Sequence, residues 1–194
     1  MKTARKVLVL ALCAVLLVSA TIMGTMAYLT SSDVVTNTFT VGSVSITLDE
    51  APVDVYGKVV TGDRTDANTY KLLPGHNYKK DPIIHVTQGS EECWLFVKVV
   101  DEIAAIEDTK TVATQLGEKG WTLIDATNNI YAYASKVDAR TTAQDVAVFD
   151  DFTIKQDADV ASYNGKTIVV TAYAIQADGF TSAEAAWTAA GSSF

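Results

Sequence analysis

The chain has 194 residues, of which 48% are apolar, and its formal net charge is −8. This length is sufficient for one domain with a buried core of its own. The acidic balance and the lack of a visible basic patch argue against a nucleic-acid partner, because phosphate binding needs clustered lysine and arginine.

Residues 1–27 have the layout of a secretory signal peptide. Lys2, Arg5 and Lys6 precede an apolar stretch from Val7 to about Met23, and small residues follow. The stretch lies at the lower edge of the ~17–25 residues needed to span a bilayer, so an uncleaved membrane helix is the alternative. The basic start and the small-residue end favour a leader that contacts the membrane only transiently. Its removal leaves 12 of the 15 basic residues and all 23 acidic ones, a net charge of −11, which suits an extracellular surface.

Two cleavage positions satisfy the preference for small residues at −3 and −1. One lies after Ala20, with Val18 at −3, and the other after Ala27, with Thr25 at −3. The second would place Tyr28 at the mature N-terminus. The small residues alone leave both positions open.

Cysteine use agrees with export. Cys13 is not a convincing lipoprotein cysteine, because Leu12 is too large for the position before it. After cleavage only Cys93 remains, within a dense apolar run, and we expect a buried, unreactive thiol. Neither His76 nor His85 has a spacing that would make it the base of a cysteine nucleophile.

The segment "TFTVGSVSITL" predicts two strand pieces. Phe39 and Val41 alternate in one phase, and the apolar residues from Val44 onward alternate in the other. The phase changes across Gly42 and Ser43, where a glycine in a strand pattern indicates a bulge or bend. The two pieces are therefore expected to have different neighbours.

Further strands follow in chain order. "VTGDRTDANTYK" reads as a loop or hairpin tip, Pro74-Gly75 as a turn, and "IIHV" as a strand that begins after Pro82. "CWLFVKVVDEI" is apolar on both faces, which predicts a central strand covered on both sides, with Leu95 on one face and Phe96 on the other.

The second half of the chain predicts more strands and little helix. "AAIEDTKTVATQLGEKG" reads as a helical or loop insertion, "GWTLIDATNNIYAYASKV" as a hairpin, and "DVAVFDDFTI" and "KTIVVTAYAIQA" as further strands. Thr181 or Ser182 can cap a short C-terminal helix that carries Trp187. Together these elements predict an all-β, jelly-roll-like sandwich with a short C-terminal helix and a small helical or loop insertion.

Motifs of enzymes and cofactor sites are missing from the sequence. There is no His-Glu-x-x-His helix, no Gly-x-Ser-x-Gly elbow and no phosphate-binding glycine loop. His85 is expected to be a solvent-facing or locally satisfied strand residue rather than a metal ligand. Trp94, Trp121 and Trp187 could stack on a sugar, but their apolar surroundings favour the core. We therefore expect no catalytic, cofactor or metal site.

The stretch "MGTMAYLTSSDVVTNTFTVGSVSI" resembles the start of the TasA/camelysin-like proteins of Gram-positive bacteria. Gly24, Thr25, Ala27 and Tyr28 match the family's cut region, and Asn37 to Gly42 match its "NTFTVG". "LLPGHNYKKDP" is similar to the family's Leu-x-Pro-Gly segment with a following lysine, and "YAIQADGF" before a Trp-bearing, Ala-rich end is similar to clostridial members. Leu29 departs from the family, many of whose members carry Phe there.

The resemblance implies a secreted structural subunit of extracellular matrix or biofilm fibres, and not an enzyme. Such proteins are processed by the signal peptidase SipW, here between Ala27 and Tyr28. Each subunit then inserts its N-terminal strand into the next, so residues 28–43 are expected to be a donor strand and residues 44–194 the sandwich domain. The implied docking side chains are Val35, Phe39 and Val41. The partners would be other copies of the chain, with other matrix proteins as further candidates.

Two other functions remain as alternatives. Camelysin, in the same family, is described as a casein-cleaving surface metalloprotease, although this sequence shows no metal motif. A monomeric carbohydrate-binding β-sandwich that uses exposed tryptophans is the other alternative.

Overall fold

The computed structural model describes residues 42–190 and, closer to the N-terminus, only residues 3, 5–7, 12 and 13. Residues 1–40 and 41–194 form two separate units, and the fold described below is that of the second. The predicted cleavage site at Ala27 and Tyr28 lies outside the described residues. So do the predicted donor residues Val35, Phe39 and Val41.

Within residues 42–190, nine strands form three antiparallel sheets. The first sheet has the order β1-β3-β7 and contains β1 (Ile46–Asp49), β3 (Ile83–Val86) and β7 (Gln144–Ala147). The second has the order β5-β6-β4-β9 and contains β4 (Cys93–Asp101), β5 (Trp121–Asp125), β6 (Ile130–Tyr133) and β9 (Ile168–Gln176). The third pairs β2 (Asn77–Lys79) with β8 (Asp151–Thr153).

The helical content is small. Two α-helices, α1 (Val112–Glu118) and α2 (Ala183–Ala190), and two 3-10 turns, Ala104–Ile106 and Val160–Tyr163, are present within residues 42–190. The predicted insertion consists of the first 3-10 turn and α1. The fold is therefore the expected all-β sandwich with a short C-terminal helix.

Strand β4 is the predicted central strand. It pairs with β9 along its whole length, from Cys93 opposite Gln176 to Asp101 opposite Ile168, and with β6 on its other side. Leu95 and Phe96, on opposite faces, are both fully buried. The prediction that both faces of this strand are covered is confirmed.

The main core lies between the first two sheets. Ile84, Val86 and Val146 from the three-stranded sheet pack with Leu95 and other inward-facing residues of the four-stranded sheet. Alternation along each strand directs every second side chain into this layer.

A second, smaller core lies on the outer face of the four-stranded sheet, under α2. Ser182 caps the helix, because its Oγ accepts a hydrogen bond from the Ala185 N–H at 3.2 Å. The ring of Trp187 lies 5.0 Å from that of Phe96 and 5.7 Å from that of Tyr173, measured between centroids. Both the cap and the seating of Trp187 on the sandwich agree with the sequence prediction.

The predicted turns are also present. Gly75 has φ +72°, a left-handed conformation that glycine adopts without steric cost, and the β5–β6 hairpin turns through Asn129 at φ 56°. "DVAVFDDFTI" is not one strand but two, because β7 ends at Ala147 and β8 begins at Asp151 in a different sheet. The polar "VTGDRTDANTYK" is the expected loop, tied to the end of β1 through Thr65.

Candidate assembly groove

Two edge strands, β1 and β9, face a common opening in the sandwich. In the first sheet β1 pairs only with β3, and in the second β9 pairs only with β4, among the residues that the structure describes. Whether another strand could pair with these edges depends on which of their backbone N–H and C=O groups point into the opening.

The alternating direction of backbone hydrogen bonds along β1 shows which of its N–H and C=O groups face the opening. The Ser45 carbonyl accepts a hydrogen bond from the Thr87 N–H at 3.0 Å, so the odd-numbered residues bond towards β3. Glu50 instead exchanges two bonds of 2.8 Å with Thr65, on the opposite side. Because neighbouring residues of an antiparallel strand direct their N–H and C=O groups to opposite sides, Ile46 and Leu48 direct theirs to the open side, in line with Glu50.

The same argument applies to β9. The Ala177 N–H donates to the Glu92 carbonyl at 2.8 Å, and the Glu102 N–H donates to the Thr167 carbonyl at 3.0 Å, so odd-numbered residues bond towards β4. Even-numbered residues of β9 therefore direct their backbone groups away from β4. These are also the residues whose side chains pack against the main core: Ile168, Val170, Ala172 and Ala174.

Between the two edges lies a groove of about 990 Å³. Its apolar lining comes from both sheets and from the segments around residues 66–72 and 160–170: Leu48, Leu72, Ile103, Phe152, Ile168 and Val170. Leu48, Leu72, Ile168 and Val170 are only partly buried, although they pack against the core. The groove is thus an incomplete stretch of the sandwich interior.

Charged residues fix the β1 wall of this groove. Arg64 forms an ion pair with Asp49, and its guanidinium also donates to the Asp81 carbonyl at 2.9 Å. Lys80 Nζ lies 2.6 Å from Glu50 Oε2. The end of the strand is therefore attached to the loop after it and to the segment before β3.

His85 joins all three strands of the first sheet. Its Nε2 lies 3.0 Å from Asp49 on β1, and its Nδ1 lies 2.6 Å from Asp145 on β7. Burial alone would lower the pKa of His85, but the bonds to the two carboxylates outweigh it and raise the pKa above its ordinary value. The prediction that this histidine is satisfied locally is confirmed.

The cysteine and the tryptophans considered as candidate site residues belong to the protein core. Cys93 is a free, fully buried thiol whose pKa is raised to about 11 by burial, with a smaller contribution from Glu92. Trp94 and Trp121 are buried, in the outer and the main core respectively. Across residues 42–190 and the few positions described before them, no group of three or more His, Cys, Asp or Glu side chains could hold a metal ion. Within that same part of the chain, no helix is long and apolar enough to cross a membrane.

Sequence reasoning did not find the groove or the contacts of Glu50. The groove depends on which strands lie at sheet edges, and the order in which strands pair cannot be read from the alternation of apolar and polar residues.

A search of protein-family models, of curated proteins and of solved structures finds no match to this chain.

Proposed function

We propose that this protein is a secreted structural subunit of extracellular fibres, in which the groove between β1 and β9 receives residues 28–41 of another copy. The observation that carries the proposal is the pair of edges with outward-facing backbone groups beside an apolar, incompletely filled groove. An added strand would gain backbone hydrogen bonds along one edge and bury alternate side chains in the groove.

The character of β9 supports a docking role. The strand reads "IVVTAYAIQ" and contains no charged residue and no proline over nine positions. Natural proteins commonly protect long edges with charges, prolines or short strands, because an exposed edge pairs with other chains. At about 3.3 Å per residue the edge spans roughly 30 Å, and an extended segment of 14 residues, about 45 Å long, is sufficient to cover it.

The occupant is suggested by the chain itself. "YLTSSDVVTNTFTV" supplies Val35, Phe39 and Val41 on one face of an extended segment, and Phe39 is the expected anchor. The chain is held to its own subunit from Ser43 onward, since the Ser43 carbonyl accepts from the Glu91 N–H at 3.1 Å. A contact between the segment before this point and a different patch on the next copy is heterologous, and such contacts propagate into filaments.

The decisive experiment uses a peptide and a truncated protein. Mature protein lacking residues 28–41 should remain a soluble monomer and should bind a synthetic peptide of residues 28–41. Val170→Lys in the truncated protein should abolish peptide binding, because Val170 lines the groove. Thr171→Lys is the matched control, since Thr171 is the next residue on the same strand, is exposed, and lies on the opposite face and outside the groove lining.

The second part of the experiment measures fibre formation by the full-length mature protein. Sedimentation and electron microscopy should show fibres for the parent chain and for Thr171→Lys, and none for Val170→Lys or for the truncated protein. Fibres of normal yield from the truncated protein would eliminate strand donation. Thermal melting of each monomer separates a blocked groove from an unfolded subunit.

A further inference from the structure

One buried and two half-buried polar side chains meet beside the groove: Glu50, Asn68 and Lys80. The Glu50 carboxylate contacts Lys80 Nζ through Oε2 at 2.6 Å and accepts a hydrogen bond from Asn68 Nδ2 through Oε1 at 2.9 Å. Glu50 is only 3% exposed, and the Lys80 side chain is 12% exposed. One buried carboxylate therefore contacts both an amine and a carboxamide.

The fold brings the three residues together from separate segments. Glu50 directly follows β1, and its two backbone bonds to Thr65 position the loop that carries Asn68. Lys80 directly follows β2 and precedes β3. Tyr70 lies beside the cluster, and its ring packs edge-on against Phe152.

The orientation of the Asn68 carboxamide is fixed by its partners. Its Oδ1 accepts from the Val53 N–H at 3.0 Å, and its Nδ2 donates to the Ala51 carbonyl at 2.9 Å as well as to Glu50. Nitrogen and oxygen cannot be exchanged without losing all three bonds. The backbone N–H of Val53 therefore points at the atom on which negative charge develops if the carbonyl carbon is attacked, as in an oxyanion hole.

We propose that Lys80 and Asn68 form an intramolecular isopeptide bond, with Glu50 as the proton carrier. Glu50 takes a proton from the Lys80 ammonium, and the free amine attacks Asn68 Cγ. The new N–C bond forms as the Cγ–Nδ2 bond breaks. Glu50 transfers to Nδ2 the two protons that Lys80 loses in turn, so that this nitrogen leaves as ammonium. Glu50 ends ionised, the product is a neutral amide, and no oxidant or other reactant is needed.

A simpler role for these residues is structural: Glu50 and Lys80 form an ion pair, and Asn68 stabilises the loop by its hydrogen bonds. The two roles differ in covalent mass, because bond formation removes one ammonia molecule. Intact-mass measurement of the purified mature protein should therefore give the sequence mass less one ammonia. The full sequence mass would overturn the proposal without any variant being needed.

A peptide map identifies the site of the loss, since an asparagine can also lose ammonia by cyclising onto its own backbone. Trypsin should not cut after a modified Lys80, and the digest should contain a branched peptide that joins residues 65–71 to residues 80–98. Separate linear peptides from these regions would refute the bond even if the intact mass is low.

Three variants and one control complete the test. Lys80→Arg, Asn68→Ala and Glu50→Gln should each restore the full expected mass, the last because it removes the proton carrier while both reacting groups remain. Lys79→Arg is the matched control and should keep the mass deficit, since Lys79 is paired with Asp81 instead. Retention of the deficit in Lys80→Arg would show that the ammonia is lost elsewhere.

Discussion

Replacement of Glu107 by glutamine tests how a buried carboxyl group sets the pH dependence of stability. Glu107 is 2% exposed, its Oε2 accepts a hydrogen bond from the Val112 N–H at the start of α1, and its Oε1 has no partner among the described residues. Burial, with a further contribution from the nearby Asp101 carboxylate, raises the pKa of Glu107 from 4.5 to about 7. The ionised form is therefore poorly accommodated in the folded state.

The sign of the effect follows from proton linkage. Between pH 4.5 and about 7 the folded state keeps the Glu107 proton and the unfolded state has lost it, so stability falls as the pH rises. At about 1.4 kcal/mol per pH unit, the loss amounts to roughly 3 kcal/mol. For a domain of this size, that corresponds to a Tm difference of about 6–12 °C.

Glutamine keeps an oxygen for the Val112 N–H and has no proton to lose. Urea or thermal unfolding of Glu107→Gln between pH 4.5 and 8 should therefore lack this part of the decline, and the variant should be more stable than the parent at pH 8. Glu118→Gln, at the last residue of α1, is the control for the loss of a carboxylate, because that side chain is 57% exposed. A Glu107→Gln slope equal to that of the parent would show that the carboxyl is ionised in the fold without cost.

Four further predictions concern the core, the first sheet, processing and assembly. Leu95→Ala and Phe96→Ala should each cost ~2–5 kcal/mol in urea unfolding, because both faces of β4 are buried, whereas an unchanged midpoint for either would mean that its face is open. His85→Asn should lower the free energy of unfolding most below pH 6.5, because the contribution of the charged imidazole is lost as the pH rises through the raised pKa of His85. Equal decreases in the free energy of unfolding at pH 5.5 and pH 9 would argue against a charged imidazole at this position. N-terminal sequencing of secreted protein should start at Tyr28, and a start at Thr21 would indicate cleavage after Ala20. Phe39→Asp should prevent fibre formation without changing the Tm of the monomer, and a collapsed monomer would instead place Phe39 in its own sandwich.

Local patterns in the sequence predicted most of the secondary structure. The two-sided apolar run of β4, the Ser182 cap and the Pro74-Gly75 turn depend on residues close together in the chain, and each is present in the structure. The short β2 was not predicted, since three residues are too few to show alternation. The break between β7 and β8 was also missed, because "VFD" continues the apolar pattern while the chain moves to another sheet.

The groove and the polar cluster could not be predicted for a different reason. Glu50, Asn68 and Lys80 are separated by 18 and 12 positions along the chain and meet only because the Thr65 bridge folds the loop back onto β1. An isolated glutamate, asparagine or lysine in a polar stretch indicates only an exposed loop. The information lies in strand pairing, which a single sequence does not reveal.

The polar contacts around β1 hold this short edge strand in place beside the apolar groove. A four-residue edge strand that pairs on one side only would be expected to fray. Here its end is held by Arg64, His85 and Lys80, all outside the apolar part of the groove. Ile46 and Leu48 are therefore held in an extended conformation, as the acceptor role proposed for this edge requires. A preordered acceptor lowers the conformational cost of association, so more of the gain from backbone pairing and side-chain burial is expressed as affinity. An isopeptide bond between Asn68 and Lys80 would hold the same wall covalently, and its loss should weaken the binding of the peptide of residues 28–41 even where the subunit remains folded.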